Sequence, residues 1–236
     1  LVAGSSNAAS VSGTRFTSPF PADLAFPGFT DFTQANLTTL GSLDWIRLGE
    51  STTAGTPIST GFNEKAGGTA ITGYTQSGFM GADNGAAHFL TYSDGTAPVT
   101  SAATLSGQSI QRTSDDKMSF DVAASNTQQR ELTIFGAVTG GATGQLVAQL
   151  QNAANQPIGP SYTNDLSGGL PAVYRIDFQG DGIGDHLLVT YTRTVGSGTD
   201  RIALSAATLS VVPEPALLAG LCVAGALLAR KRRRCD

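Results

Sequence analysis

The chain has 236 residues, of which only 14% are charged, with 29 Gly and 10 Pro, a composition that favours strands and tight turns over helices. Nine Lys and Arg stand against sixteen Asp and Glu before Pro213, a balance of −7 that argues against nucleic acid or an anionic membrane surface as partner of that region. Both cysteines, Cys222 and Cys235, lie beyond it, so a disulfide framework, an iron–sulfur site and Cys-ligated zinc are excluded from about 210 residues, enough for one large all-β domain or two small ones.

Residues 1–10 contain Leu1-Val2-Ala3-Gly4 and Asn7-Ala8-Ala9-Ser10, which read as the end of a cleaved secretory signal; a processed N-terminus is expected. Residues 11–17 alternate as a first strand. Residues 18–32, with Pro19, Pro21, Pro27 and four Phe, read as a long loop that presses rings onto the domain. Residues 40–49 are the next strand, with Leu43, Trp45 and Arg47 on one face and Asp44, Ile46 and Leu48 on the other. A loop follows over 51–61, then strands over 70–75 and 87–92 bracketing the Gly-rich residues 78–85. Asp94-Gly95 is the strongest hairpin dipeptide, placed between 89–92 and a strand over 99–104. Residues 117–122 alternate strictly, and strands are expected over 131–138, 145–150, 173–178, 187–192 and 202–209. This spacing, with no convincing helix, predicts one antiparallel β-sandwich over residues 11–211.

Hydrolysis needs a nucleophile–base pair, paired carboxylates or a metal cluster. His88 and His186 are isolated on different strands, and no His-Glu-x-x-His or Gly-x-Ser-x-Gly motif occurs. Asp44, Glu50 and Glu64 could meet across a cleft, but Asp44 beside Trp45 reads better as a strand-end hydrogen-bond acceptor. No catalytic residue is assigned, and a non-enzymatic protein is expected. Asp177, Asp181 and Asp185 among Gly180, Gly182 and Gly184 invite a Ca²⁺ reading, since hard oxygen ligands on a Gly-rich loop suit that ion. Their spacing is not that of an EF-hand, and a type I′ hairpin at Asp181-Gly182 explains the same residues without a metal; no cofactor is required. Sugar binding needs exposed rings with planar polar groups. Tyr74 and Phe79, flanking the 73–85 loop, are the better surface candidates, with Tyr92 a further ring. Trp45, one strand repeat from Leu43, is expected in the core.

A family resemblance runs through Leu43-Asp44-Trp45-Ile46-Arg47-Leu48-Gly49, Phe62-Asn63-Glu64-Lys65, Tyr92-Ser93-Asp94-Gly95-Thr96, Arg130-Glu131-Leu132-Thr133-Ile134-Phe135-Gly136 and residues 202–209. These resemble secreted bacterial β-sandwich proteins of galactose-binding, jelly-roll-like type. Leu48 stands where that pattern has an aromatic. The resemblance implies a jelly-roll-like sandwich over residues 40–210.

The last 25 residues form a separate unit. Val212-Pro213-Glu214-Pro215 stops the preceding strand, because Pro213 and Pro215 fit neither a central strand nor a helix interior. An uncharged, mostly apolar run follows from Ala216 to Ala229, roughly 21 Å long as a helix and able to span with local thinning or snorkelling. Arg230, Lys231, Arg232, Arg233 and Arg234 then set the orientation, with the C-terminus cytoplasmic. Together these residues resemble the PEP-CTERM sorting signal of Gram-negative bacteria. The resemblance implies export, transient anchoring in the inner membrane by the single helix 216–229, and an exosortase-type transpeptidase as partner. The expected function is that of a cell-surface or extracellular-matrix protein associated with exopolysaccharide. The alternative is a module that binds the exopolysaccharide itself, and a secreted glycosidase stands third.

Overall fold

The computed structural model describes residues 8–17, 29–31, 34–50, 57–78, 80–82, 88–105, 107–110, 116–169 and 171–212. Strand β1 (Ser10–Thr17) leads to the short β2 (Phe29–Asp31) and β3 (Gln34–Asn36). One helical turn, α1 (Leu37–Leu40), is started by the Asn36 side chain, which accepts the Thr39 N–H at 3.2 Å. Next come β4 (Asp44–Glu50), β5 (Pro57–Glu64), β6 (Ile71–Gln76), β7 (Met80–Ala82), β8 (Phe89–Tyr92), β9 (Ser101–Leu105) and β10 (Gln108–Ile110). The C-terminal half is more regular, with β11 (Lys117–Ala123), β12 (Arg130–Thr139), β13 (Thr143–Gln151), β14 (Pro157–Leu166), β15 (Pro171–Gln179), β16 (His186–Val195) and β17 (Arg201–Val211).

These strands make an antiparallel β-sandwich with a third, smaller sheet on its back. The middle sheet runs β1-β15-β12-β17, and the far edge of β17 is shared by β10 at Ile202–Leu204 and by β4 at Ala206–Leu209. The sheet continues outward through β5 on β4 and β7 on β10. One outer sheet has the order β14-β13-β16-β11-β6, and the other β2-β3-β8-β9, in which β3 and β8 are parallel.

The main core lies between the first two sheets, where Leu132, Ile134, Tyr174, Ile176 and Phe178 meet Phe120, Leu146, Leu150, Val189 and Tyr191. Alternate residues of the middle sheet face the other way: Trp45, Phe135, Val173 and Ala206 pack on Ala35, Leu37, Leu90 and Tyr92 of the small sheet and its helical turn. Strands covered on both faces lose the polar half of their alternation. That is why β17 is buried continuously from Ile202 to Leu209, largely through Ala and Leu, and the run Leu132–Val138 of β12 is buried likewise.

Several expectations need correction. Residues 57–61 belong to β5 rather than to a loop, and β14 was not expected because it carries Pro157, Gly159 and Pro160. Proline is tolerated on an edge strand, and β14 is the sheet edge. Asp94-Gly95 does not form a two-residue hairpin. Residues 93–100 make a longer connection in which the Asp94 side chain is a hydrogen-bond hub and Gly95 bonds back to the Val99 carbonyl at 2.9 Å. Nor is Asp181-Gly182 a type I′ turn: the loop has six residues, 180–185, and its positive φ falls on Gly184. Among the described residues no helix is long and apolar enough to cross a membrane; the run 216–229, with Pro213, Glu214, Pro215 and Arg230–Arg234, lies outside them. So do residues 1–7 and most of the Phe-rich segment 18–32.

Candidate functional site

Where the chain crosses from the middle sheet to the outer sheet, between β5 and β6, it leaves a cleft of about 300 Å³. Ile46 of β4 and Ile71 of β6 line it. Phe62 and Glu64 project from β5, Thr69 from the connection, and Thr72, Gly73 and Tyr74 complete the wall on β6.

Each wall is fixed by a polar contact behind it. On β5, Asn63 points opposite to its neighbours and is 2% exposed. Its Nδ2 donates to Tyr92 Oη at 2.8 Å and to the Pro98 carbonyl at 2.9 Å, while Oδ1 accepts from Thr96 Oγ1 at 2.8 Å. With Asn63 locked, period-two geometry turns Phe62 and Glu64 into the cleft. Between the sheets, the buried Asp44 carboxylate accepts the N–H groups of Trp45 (2.8 Å), Ala70 (2.7 Å) and Ile71 (2.9 Å), tying the start of β6 to β4. A side chain at Gly68 would sit 2.0 Å from Asp44 Oδ1, so only glycine lets the connection pass.

On β6 the pairing with β11 slips between Thr72 and Thr75, and Gly73 takes φ +65°. A glycine in this left-handed conformation opens a β-bulge, which adds one residue and reverses the side-chain alternation beyond it. Tyr74 is thereby aimed inward on the same side as Ile71 instead of outward beside Thr72. Its hydroxyl reaches the amide oxygens of Gln76, at 3.1 Å, and of the buried Gln108. Burial pushes the Tyr74 phenol well above its usual range, so the group remains a donor. Its ring lies 6.4 Å from that of Phe62 at 57°, and Phe62 is 50% exposed. The result is an aromatic corner over an aliphatic floor, edged by one carboxylate and two threonines. Such a surface suits a ligand with C–H-rich faces and hydroxyl edges.

Of the other candidates, Tyr92 is not offered to a ligand, contrary to expectation. It is 3% exposed, 4.7 Å from the Trp45 ring, and its hydroxyl is held by Asn63. Phe79 lies outside the described residues. Trp45 is fully buried, but between the middle and small sheets rather than in the main core, with Nε1 donating to Asp94 Oδ1 at 2.9 Å. Burial raises the Asp94 carboxyl, but hydrogen bonds from Lys65, Thr38 and Trp45 outweigh it and hold the group below its ordinary range. His88 is buried with Nε2 3.3 Å from the Gly136 carbonyl oxygen, and burial pushes its pKa down to about 4.

Asp177, Asp181 and Asp185 are not brought together. Asp177 sits on β15 opposite Glu131, whereas Asp185 folds over its own loop and accepts the N–H groups of Asp181 at 3.0 Å and Gly182 at 2.8 Å. Among the described residues no three His, Cys, Asp or Glu converge on a metal-sized site. A second depression of about 410 Å³ on the outer sheet is lined by Asp121, Asn155, Asp185 and His186, with His186 Nε2 3.7 Å from Asp121 Oδ1. Sequence reasoning missed Phe62 as a site residue because residues 51–61 read as a loop; the alternation of Ile58, Thr60 and Phe62 was the available signal.

No family model and no curated protein matches the chain. Among solved structures it is similar in its β-sandwich to carbohydrate-binding modules. With TmCBM61 in complex with β-1,4-galactotriose it shares 8% identity at a TM-score of 0.36, over 59% of this chain and 88% of that one. With a family 16 carbohydrate-binding module the values are 15% and 0.33, over 47% and 79%. It is also similar to the enzymatically active domain of tailspike protein 4 of bacteriophage CBA120, at 10% identity and a TM-score of 0.39 over 61% of this chain, which spans only 20% of the tailspike chain.

Proposed function

We propose that this chain is a non-enzymatic carbohydrate-binding β-sandwich that works outside the cell, at the surface or in the matrix, with exopolysaccharide as its ligand. The observation that carries this reading is the Phe62–Tyr74 corner, held open over Ile46 and Ile71 with Glu64, Thr69 and Thr72 at its edge. A sugar stacks its C–H face on such rings and hands its hydroxyls to the edge. A purely structural matrix component requires no such cleft. Binding rather than hydrolysis is favoured because Glu64 is the one carboxylate among the described lining residues, whereas glycoside cleavage uses two. Asp44, a carboxylate that the sequence offered as its partner, is committed to three backbone N–H groups.

The test is affinity electrophoresis in gels containing neutral polysaccharides. Phe62→Ala should lose the retardation shown by the wild type and keep its melting temperature, since the ring is half in solvent. Equal retardation of the two would refute the site.

The route out of the cell is carried by the tail. Val212-Pro213-Glu214-Pro215, the run 216–229 and Arg230–Arg234 support export with transient inner-membrane anchoring and processing by an exosortase-type transpeptidase. Neutralising Arg230–Arg234 should leave the protein mislocalised or unprocessed; unchanged fractionation and processing would count against this route.

A further inference from the structure

We infer that the cleft selects neutral glycans and rejects uronate-bearing ones, with Glu64 as the specificity-determining residue. This rests on the carbohydrate-binding reading and narrows its ligand class. Among the described residues, the Glu64 carboxylate has no hydrogen bond or ion pair, so its oxygens remain available as acceptors. No Lys, Arg or His is among the described residues that line the cleft. The cation nearest in sequence is turned away: Lys65 Nζ pairs with Asp94 Oδ2 at 2.7 Å and donates to the Gly41 carbonyl at 3.1 Å. The remaining polar side-chain groups of the described lining are the Thr69 and Thr72 hydroxyls and the Tyr74 phenol, which carry no charge.

A carboxylate with free lone pairs accepts hydroxyl donors, and charge-assisted bonds of this kind are roughly twice as strong as neutral ones. Two adjacent hydroxyls on a sugar ring can each donate to one of its oxygens. Among the described lining residues, a uronate carboxylate brought to the same place finds no donor of positive charge, and it meets a like charge beside two rings that displace water. Like charges juxtaposed in a partly desolvated site discriminate against the wrong partner. The charge of the whole ectodomain region, −7 before Pro213, acts in the same direction at long range.

The experiment pairs soluble galactan, mannan and β-glucan with derivatives of each carrying C6 carboxylates, titrated against wild type, Glu64→Gln and Phe62→Ala. Wild type should bind at least one neutral polymer, and its oxidised partner at least tenfold more weakly. Glu64→Gln, which keeps an acceptor oxygen but loses the charge, should shrink that difference to within about threefold. Oxidised polymers bound as tightly as neutral ones, or a difference untouched in Glu64→Gln, would overturn the inference while leaving the carbohydrate reading standing. Binding to no polymer of either kind would overturn that reading and the inference with it. Phe62→Ala distinguishes the cleft from binding elsewhere: polymer binding that survives it with its charge discrimination intact refutes the assignment to Glu64.

Discussion

Trp45 joins two sheets with one ring and one proton: the ring packs 4.7 Å from that of Tyr92 in the layer it shares with Phe135, and Nε1 donates to Asp94. Its burial was legible in the sequence, since it is the one Trp of the chain and sits in an alternating run, but Leu43, expected on the same face of a strand over 40–49, precedes β4 and is 38% exposed. The partner face was not legible. Arg47, on the same side, is fully buried as well, with Nη1 donating to the Leu90 carbonyl and to Ser101 Oγ, each at 3.0 Å. Nothing local announces that a charged residue will be covered by strands whose contacting residues lie 43 and 54 positions further on. Trp45→Ala removes the ring and leaves Asp94 short of a donor, so it should cost about 3–5 kcal/mol in urea denaturation. A loss below about 1 kcal/mol would mean that the small sheet is not packed on the middle one. His88 makes a second residue-scale prediction. Its pKa falls from 6.5 to about 4 on folding, because burial penalises the charged ring. Below pH 6.5 the unfolded chain therefore takes up a proton that the fold refuses. Stability is full above pH 6.5 and should decline by about 3 kcal/mol as pH falls to 4. The decline should flatten in His88→Gln; an identical slope in that variant would show another group responsible.

At the scale of elements, β6 shows what alternation alone conceals. Residues 70–75 read as a strand, and Tyr74 read as a surface ring, but strict period two would place Tyr74 outward beside Thr72. The bulge at Gly73 turns it inward, and a bulge is a property of the pairing with β11, which a single strand's pattern does not display. Gly73→Ala must adopt a left-handed backbone and approach Asp121 Oδ2 at 2.9 Å. It should cost about 1–2 kcal/mol and weaken glycan binding at least tenfold, because Tyr74 and Phe62 lose their corner. Gly73→Asn, which tolerates the left-handed region better, should recover part of both. If Gly73→Ala binds as well as wild type, Tyr74 does not depend on the bulge. Strand β5 teaches the complementary lesson. Its Pro57, Thr60 and Gly61 read as a loop, yet register with β4 extends it, and Asn63 anchors it from behind through contacts to Tyr92, Pro98 and Thr96.

For the whole molecule, strand spacing made the antiparallel sandwich legible, and in the C-terminal half the expected strands match β11, β12, β13, β15, β16 and β17, with β14 missed. The third sheet was hidden because it is assembled from short strands of low contrast and from a parallel pairing of β3 with β8. The continuous apolar runs in β12 and β17 were its one trace, since a strand that faces water on one side keeps its polar half. This architecture places the cleft at the crossover between two sheets, where Phe62 comes from one and Tyr74 from the other. The central claim is that this crossover is the glycan site. The most direct measurement is a titration of ¹⁵N-labelled protein with an oligosaccharide of the neutral polymer it retains, followed amide by amide. The account predicts that the largest shifts fall at Ile46, Phe62, Glu64, Thr69 and residues 71–74. Shifts confined to the depression around Asp121, Asn155 and His186, or spread without focus over the surface, would contradict it.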